Sequence, residues 1–251
     1  MRLALYKDKI INYLNHDKKI KELGFDQNRL SYIPEYFSSY VEQERIPNFV
    51  CLVSRFGEVA HYSHQGFKNI ESKEKINNET IFRIYSMTKP ITSVAIMMLY
   101  ERGLIRLEHE LYRYLPEFKN TEVWESGNLD NFITKPLTKP ILISDLLTHT
   151  GGFTYDFMLG HPAIGLYRKN GLHDYKNIET QEEMDLDEFC NKLSKLPLLF
   201  EPGEKWHYSC SIDILGRVVE VVSGMTLEAF LKENIFNPLD MNDTSFHVEN
   251  D

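Results

Sequence analysis

The chain is poor in the residues that would mark a disulfide framework, a metal centre or a membrane span. It has 3 cysteines in 251 residues, an odd number without metal-ligand spacing. Cys51 falls in an apolar strand and Cys190 on a helix, which predicts buried thiols in a reducing compartment. The 9 histidines include His61 and His64, but no H-E-x-x-H occurs and no carboxylate ligand is suitably placed. Zinc is therefore not expected, and no other cofactor is implied. Positive charge is scarce: 28 Lys and Arg face 37 Asp and Glu, a net charge of −9. That balance argues against nucleic acid or an anionic membrane surface as a partner. No apolar run approaches the ~20 residues of a membrane span. The segment from Met1 to Lys9 breaks into charge before a signal-peptide core can form, so the chain as given is expected in the cytoplasm.

What is present suits a globular protein with one large core or two lobes: 42% of residues are hydrophobic and 26% charged. Residues 1 to 24 read as a polar, Lys-rich helix or loose tail. Leu30, Ile33, Phe37, Tyr40 and Val41 then recur at helical spacing, with Pro34 near the helix start and Pro47 after its end. The β-rich runs Asn48 to Val53 and Glu58 to Tyr62 flank a turn at Arg55-Phe56-Gly57 and predict an antiparallel hairpin. Residues 119 to 140 hold Gly, Asn, Thr and prolines, and residues 153 to 180 show little periodicity. Both stretches read as loop, the second as a mobile wall for an active site. Ser144 is the expected N-cap of a short helix closed by Gly151-Gly152. Asp185 with Glu188 opens another helix in capping-box fashion. Ser211 or Cys210 starts a longer one that Gly224 ends, and Thr226 caps the next. A hairpin followed by a mostly helical stretch is an α+β pattern, with a sheet lobe, a helical lobe and a cleft between them.

The chain is organised around Ile84-Tyr85-Ser86-Met87-Thr88-Lys89-Pro90 and the helix it opens. A β-prone segment, Thr80 to Ile84, leads in. Ile91, Val94, Ala95, Met98 and Leu99 follow at the spacing of a core-facing helix stripe, and Gly103 fits its stop. Pro90 is compatible because it falls in the first turn. Residues three apart share a helix face, so the Lys89 amine can reach the Ser86 hydroxyl. The positive end of the helix dipole favours a neutral lysine there, and a hydroxyl beside a neutral amine is an activated nucleophile. A free helix N–H also lies where an oxyanion would form. The motif alone is weak, since S-x-x-K arises by chance roughly once in a chain of this length. A second copy, Ser72-Lys73-Glu74-Lys75, sits in a polar run with no apolar stripe behind it and reads as solvated loop. From context, Ser86 is either a nucleophile or an ordinary N-cap serine.

Phe82 to Pro90 resembles the nucleophile segment of the serine β-lactamase-like hydrolases: class C β-lactamases, DD-peptidases and related esterases. Further matches follow in the same order: Ile143 to Gly152, Phe200-Glu201-Pro202-Gly203, Trp206-His207-Tyr208-Ser209 and Asn237-Pro238-Leu239-Asp240-Met241. The resemblance runs from about Asp26 to the last residue. It implies the α+β serine β-lactamase-like fold over residues 25 to 251, with a sheet lobe at 25–82 and 211–251 and a helical lobe at 83–210. It also implies a small acyl compound as substrate, a Ser86 acyl-enzyme, and Lys89 and Tyr208 sharing the proton. By itself Tyr208 reads as a packed aromatic; the resemblance makes it a catalytic candidate. Cys210 stands where class C lactamases carry an asparagine, and a thiol cannot replace both amide functions. Ester hydrolysis is therefore expected ahead of β-lactamase or D-amino-acid peptidase activity.

The family's third motif, a Lys-, His- or Trp-x-Gly on a late strand, has no counterpart after Tyr208. His64-Gln65-Gly66 and His149-Thr150-Gly151 precede Tyr208 and read as structural. The remaining sheet strands are expected to be missing, which makes a truncated, non-catalytic fragment a further reading. Little turnover is expected of the chain alone, together with self-association or a need for a C-terminal complementing polypeptide.

Overall fold

The computed structural model describes residues 17–172 and 184–247. Among these residues two compact units are present, one of residues 17–83 with 236–247 and one of residues 84–172 with 184–235.

The first unit begins with helix α1 (Asp17–Glu22), α2 (Gln27–Leu30) and α3 (Tyr32–Glu42). Asp26 caps α2 through the Arg29 N–H at 3.1 Å. Pro34 falls in the first turn of α3, where a missing N–H costs little. Of the helix or loose tail expected over residues 1 to 24, the described end is helical, in α1. Ile20 and Leu23 are buried in one cluster with Leu30 and Ala60, because these apolar residues share one small core. Residues 1–16 of that expectation lie outside the described residues.

Strand β1 (Asn48–Arg55) pairs antiparallel with β2 (Glu58–Asn69), and β2 with the short β3 (Glu74–Lys75). Phe56 and Gly57 form the two-residue turn, with φ of 53° and 74°. Positive φ at both positions matches the right-handed twist of the strands. Phe49 of β1 packs its ring 5.2 Å from Phe37 of α3. Gly66 has φ +105°, and a Cβ there would lie 2.2 Å from the Pro47 carbonyl oxygen, so no side chain fits. Ser72 sits in the exposed turn between β2 and β3, and its N–H donates to Asn69 Oδ1.

Residues 80–84, where the first unit passes into the second, form no strand before Ser86; the β-prone composition there finds no pairing partner. Helix α4 (Thr88–Glu101) buries Thr92, Ala95, Ile96 and Leu99, one step out of phase with the expected stripe. Val94 is left half exposed at 50%. The buried face is chosen by packing against the long helix that follows Cys210, not by spacing alone.

Residues 119 to 140 are not simply loop. Strands β4 (Glu122–Gly127) and β5 (Phe132–Pro136) form a hairpin closed by the Asn128 side chain and stacked at Trp124 and Phe132, 5.0 Å apart. Val123 alone is fully buried on these strands, so no apolar alternation announces them.

Helix α5 (Ile143–Leu147) starts at Leu142 rather than Ser144: the Asp145 carboxylate accepts the Leu142 N–H at 2.9 Å. It ends at Thr148, and His149 takes the left-handed φ of 56° that the sequence reading gave to the glycines. The expected loop at 153–180 contains α6 (Ile164–Lys169), and Phe153, Tyr155, Ile164 and Tyr167 are buried. Its residues 173–180 lie outside the described ones.

Helix α7 (Leu186–Leu193) is capped by Asp185, α8 (Ser211–Ser223) is ended by Gly224 at φ 71°, and α9 (Leu227–Leu231) is capped by Thr226. Helix α8 packs on α4, α5, α7 and α9. This moves residues 211–235 out of the expected sheet lobe and into the helical unit, because Ile214, Leu215, Val218 and Val219 form its core. Among the described residues no helix is long and apolar enough to cross a membrane.

Candidate active site

Ser86 is exposed in a single 3-10 turn, Tyr85–Met87, immediately before α4. Tyr85 has φ 41°, a left-handed conformation rare for an aromatic residue. Strain of this kind costs of order 1–3 kcal/mol and persists only when its surroundings impose it. Lys89 is in the first turn of α4, three residues on.

The Tyr208 hydroxyl donates to Ser86 Oγ at 2.6 Å across 122 residues of chain. Lys89 Nζ lies 5.0 Å from the centre of the Tyr208 ring. Its hydrogen bond runs to a residue the sequence reading did not single out, Tyr155, whose oxygen it meets at 2.8 Å. Lys89 is also 5.2 Å from the centre of that ring. Tyr155 in turn donates to Asp213 Oδ2 at 3.1 Å. Burial first, and the Asp213 charge second, push the Tyr155 phenol far above its ordinary range.

Tyr208 is not on a strand. Its segment is tied to two neighbouring stretches instead. The His207 N–H donates to the His149 carbonyl at 2.9 Å, and His207 Nε2 pairs with the Thr154 hydroxyl at 2.8 Å. The Ser209 N–H donates to His149 Nδ1 at 3.3 Å, so that nitrogen carries no proton. The His149 ring lies 5.0 Å from that of Tyr208. The left-handed backbone of His149 thus turns its ring onto Tyr208, a role that its helix-end position concealed. Cys210 is wholly buried, and burial raises its thiol well above the ordinary value, which keeps it protonated and inert. Cys190 is buried as expected, whereas Cys51 is only half-buried.

The β-lactamase family pattern matches residues 33–251. The chain belongs to the β-lactamase family. Within that family it is 34% identical to esterase EstB of Burkholderia gladioli over 210 residues, 84% of this chain and 50% of the relative. It is 31% identical to a lovastatin esterase of Penicillium rubens, over 79% of this chain and 48% of that one. Among solved structures, it matches EstCE1, a hydrolase with promiscuous acyltransferase activity, with a TM-score of 0.71 and 29% identity. That match covers 88% of this chain and 52% of EstCE1. Unliganded simvastatin synthase from Aspergillus terreus matches with a TM-score of 0.68 and 26% identity, over 86% of this chain and 54% of the synthase. The α+β fold is therefore the serine β-lactamase-like one, and the chain spans about half the length of the curated relatives it matches.

His149, His161 and His207 all sit below the ordinary imidazole value, each chiefly through burial. Lys89 adds to the effect at His149, and Asp213 opposes it. A histidine depressed in the folded state binds fewer protons there than in the unfolded chain. Its stabilising effect is complete above the ordinary value of 6.5 and is lost as pH falls from there through the lower folded-state value. We expect the melting temperature to drop between pH 7.5 and pH 5, by about 2–4 °C for each kcal/mol lost in a domain of this size. His149→Gln should shallow that slope. A melting temperature that is flat or rises across this window would contradict the burial argument.

Proposed function

We propose that this chain carries the acylating site of a serine hydrolase or acyl transferase for carboxylic esters or related acyl compounds. Ser86 is the nucleophile, Tyr208 the proton acceptor and Lys89 the cation beside it. The observation that carries this reading is the 2.6 Å contact between Tyr208 and Ser86, with Lys89 over the face of the tyrosine ring. Deprotonated, the Tyr208 phenol is a base within hydrogen-bond reach of Ser86 Oγ. The phenolate takes the Ser86 proton as Oγ attacks the acyl carbon. The bond to the leaving alcohol then breaks, and that oxygen takes the proton from Tyr208. Attack by water on the Ser86 ester gives hydrolysis; attack by an alcohol gives acyl transfer.

Three findings favour esters over β-lactams. EstB and the lovastatin esterase are esterases, and EstCE1 is a hydrolase with promiscuous acyltransferase activity. The resemblance puts Cys210 where class C lactamases carry an asparagine, and Cys210 is buried. Its thiol also offers no amide pair to a lactam. The alternative reading is a β-lactamase or D-amino-acid peptidase.

The test reads acylation rather than turnover. The purified chain is incubated with a short-chain nitrophenyl ester or a chromogenic cephalosporin, and the adduct on Ser86 is followed by mass spectrometry. Faster acylation by the ester is expected, and adding a small alcohol should shorten the life of the adduct. Faster acylation by the cephalosporin would favour the alternative.

A further inference from the structure

Lys89 stands between two tyrosines at nearly equal distances, 5.0 Å from the Tyr208 ring and 5.2 Å from the Tyr155 ring. Each phenol is a potential base beside the same cation, yet their outer contacts differ. The Tyr208 hydroxyl meets Ser86, and the Tyr155 hydroxyl meets Asp213. We infer that Asp213 is a positioning residue that fixes Lys89 through Tyr155 and so makes Tyr208 the base. This inference rests on the assignment of Ser86, Lys89 and Tyr208 above.

The direction of the hydrogen bonds follows from counting protons. A carboxylate only accepts, a phenol has one proton, and a lysine only donates. The Tyr155 proton therefore goes to Asp213, and the Tyr155 oxygen accepts from Lys89. The chain Lys89 to Tyr155 to Asp213 can run in no other sense while Asp213 is ionised and Lys89 is protonated. Two charge-assisted bonds in series hold the lysine head, and both are shielded because Tyr155 is 4% exposed. Burial first, and the same carboxylate second, oppose ionisation of Tyr155, which leaves Tyr208 as the phenol that meets Ser86.

A side-chain hydrogen bond between their chain neighbours keeps the two tyrosines in step. Thr154, just before Tyr155, pairs with His207, just before Tyr208. Asp213 is held at the third position of α8, where its N–H donates to the Cys210 carbonyl at 3.0 Å. An acid in a first helical turn is also favourable for the helix alone. The test must separate that structural role from the positioning one.

The readout is the rate at which a fluorophosphonate probe labels Ser86, where the Oγ–P bond forms, the P–F bond breaks and fluoride leaves. Asp213→Ala and Tyr155→Phe should each slow labelling by about tenfold, the rate equivalent of one charge-assisted hydrogen bond. The double variant should be no slower than either single one, because both cut the same chain. Asp213→Asn keeps an acceptor for the Tyr155 proton and should recover most of the rate, although it removes the helix charge.

Asp213→Ala labelling at the full rate would overturn the inference, whatever its melting temperature. So would slowing factors that multiply in the double variant, or no recovery in Asp213→Asn. If Asp213→Ala does not fold, Tyr155→Phe decides alone: full-rate labelling of that variant would also overturn it. Loss of Ser86 as the labelled residue is a different result, which would sink the underlying site assignment instead.

Discussion

Ser86→Ala is expected to abolish labelling by a fluorophosphonate probe, while Ser72→Ala leaves it unchanged. Removal of a serine nucleophile costs roughly 10⁶-fold in catalysis, more than any other single change considered for this chain. The two serines share the S-x-x-K spacing and differ in everything around it. Ser86 precedes a 14-residue helix and accepts a hydrogen bond from Tyr208. Ser72 lies in an exposed turn where its backbone, not its hydroxyl, is engaged by Asn69. Without a base or a dipole beside it, a serine hydroxyl is a poor nucleophile. Ser86 is exposed, so alanine there buries nothing and leaves no cavity, and the melting temperature should hold. Intact-mass and peptide mapping after labelling give the answer. An adduct on Ser72, or one that survives Ser86→Ala, would refute the assignment.

How much of this could be read from the residues depends on the range of the interaction. Caps are local chemistry, so Asp185 and Thr226 were legible as the starts of α7 and α9. Helical periodicity found α4 and α8, but not the phase of α4. Ala95 and Leu99 fit either stripe, and the choice between Val94 and Ile96 is made by contact with α8. The β4–β5 hairpin was not legible, because its turn chemistry was read as loop and its ring stacking spans two polar strands.

The site divides in the same way. Ser86 and Lys89 are near neighbours in sequence and were visible as a pair; Tyr208 needed the resemblance to a family. Tyr155 and Asp213 had no signal at all. Tyr155 is 66 residues from Lys89 and sits in a stretch without periodicity, and Asp213 is 58 residues beyond Tyr155. Asp213 looked like any acid in a first helical turn. His149 was dismissed for its place at a helix end, and it is that place, with its left-handed backbone, that turns the ring toward Tyr208.

Tyr208→Phe should slow acylation of Ser86 by about 10²- to 10⁴-fold, the range ascribed to one general base. The substitution removes the hydroxyl and little else. The phenyl ring can still lie against His149 and Tyr155 and under Lys89, since those contacts are made by the ring faces. The lost hydroxyl belongs to a part-exposed side chain whose partner, Ser86, is exposed, so no buried polar group is orphaned. Stability should therefore be close to that of the parent, and the loss should fall on the chemical step. Two measurements separate a base from a packing residue. The first is the labelling rate at each pH tested, which should fall in the Phe variant by that factor while Ser86 stays the labelled residue. The second is thermal melting, which should not move. A Phe variant that labels Ser86 at the parental rate across the whole pH range would remove Tyr208 from the proton-transfer role. It would also leave the 2.6 Å contact as a packing accident of the folded chain.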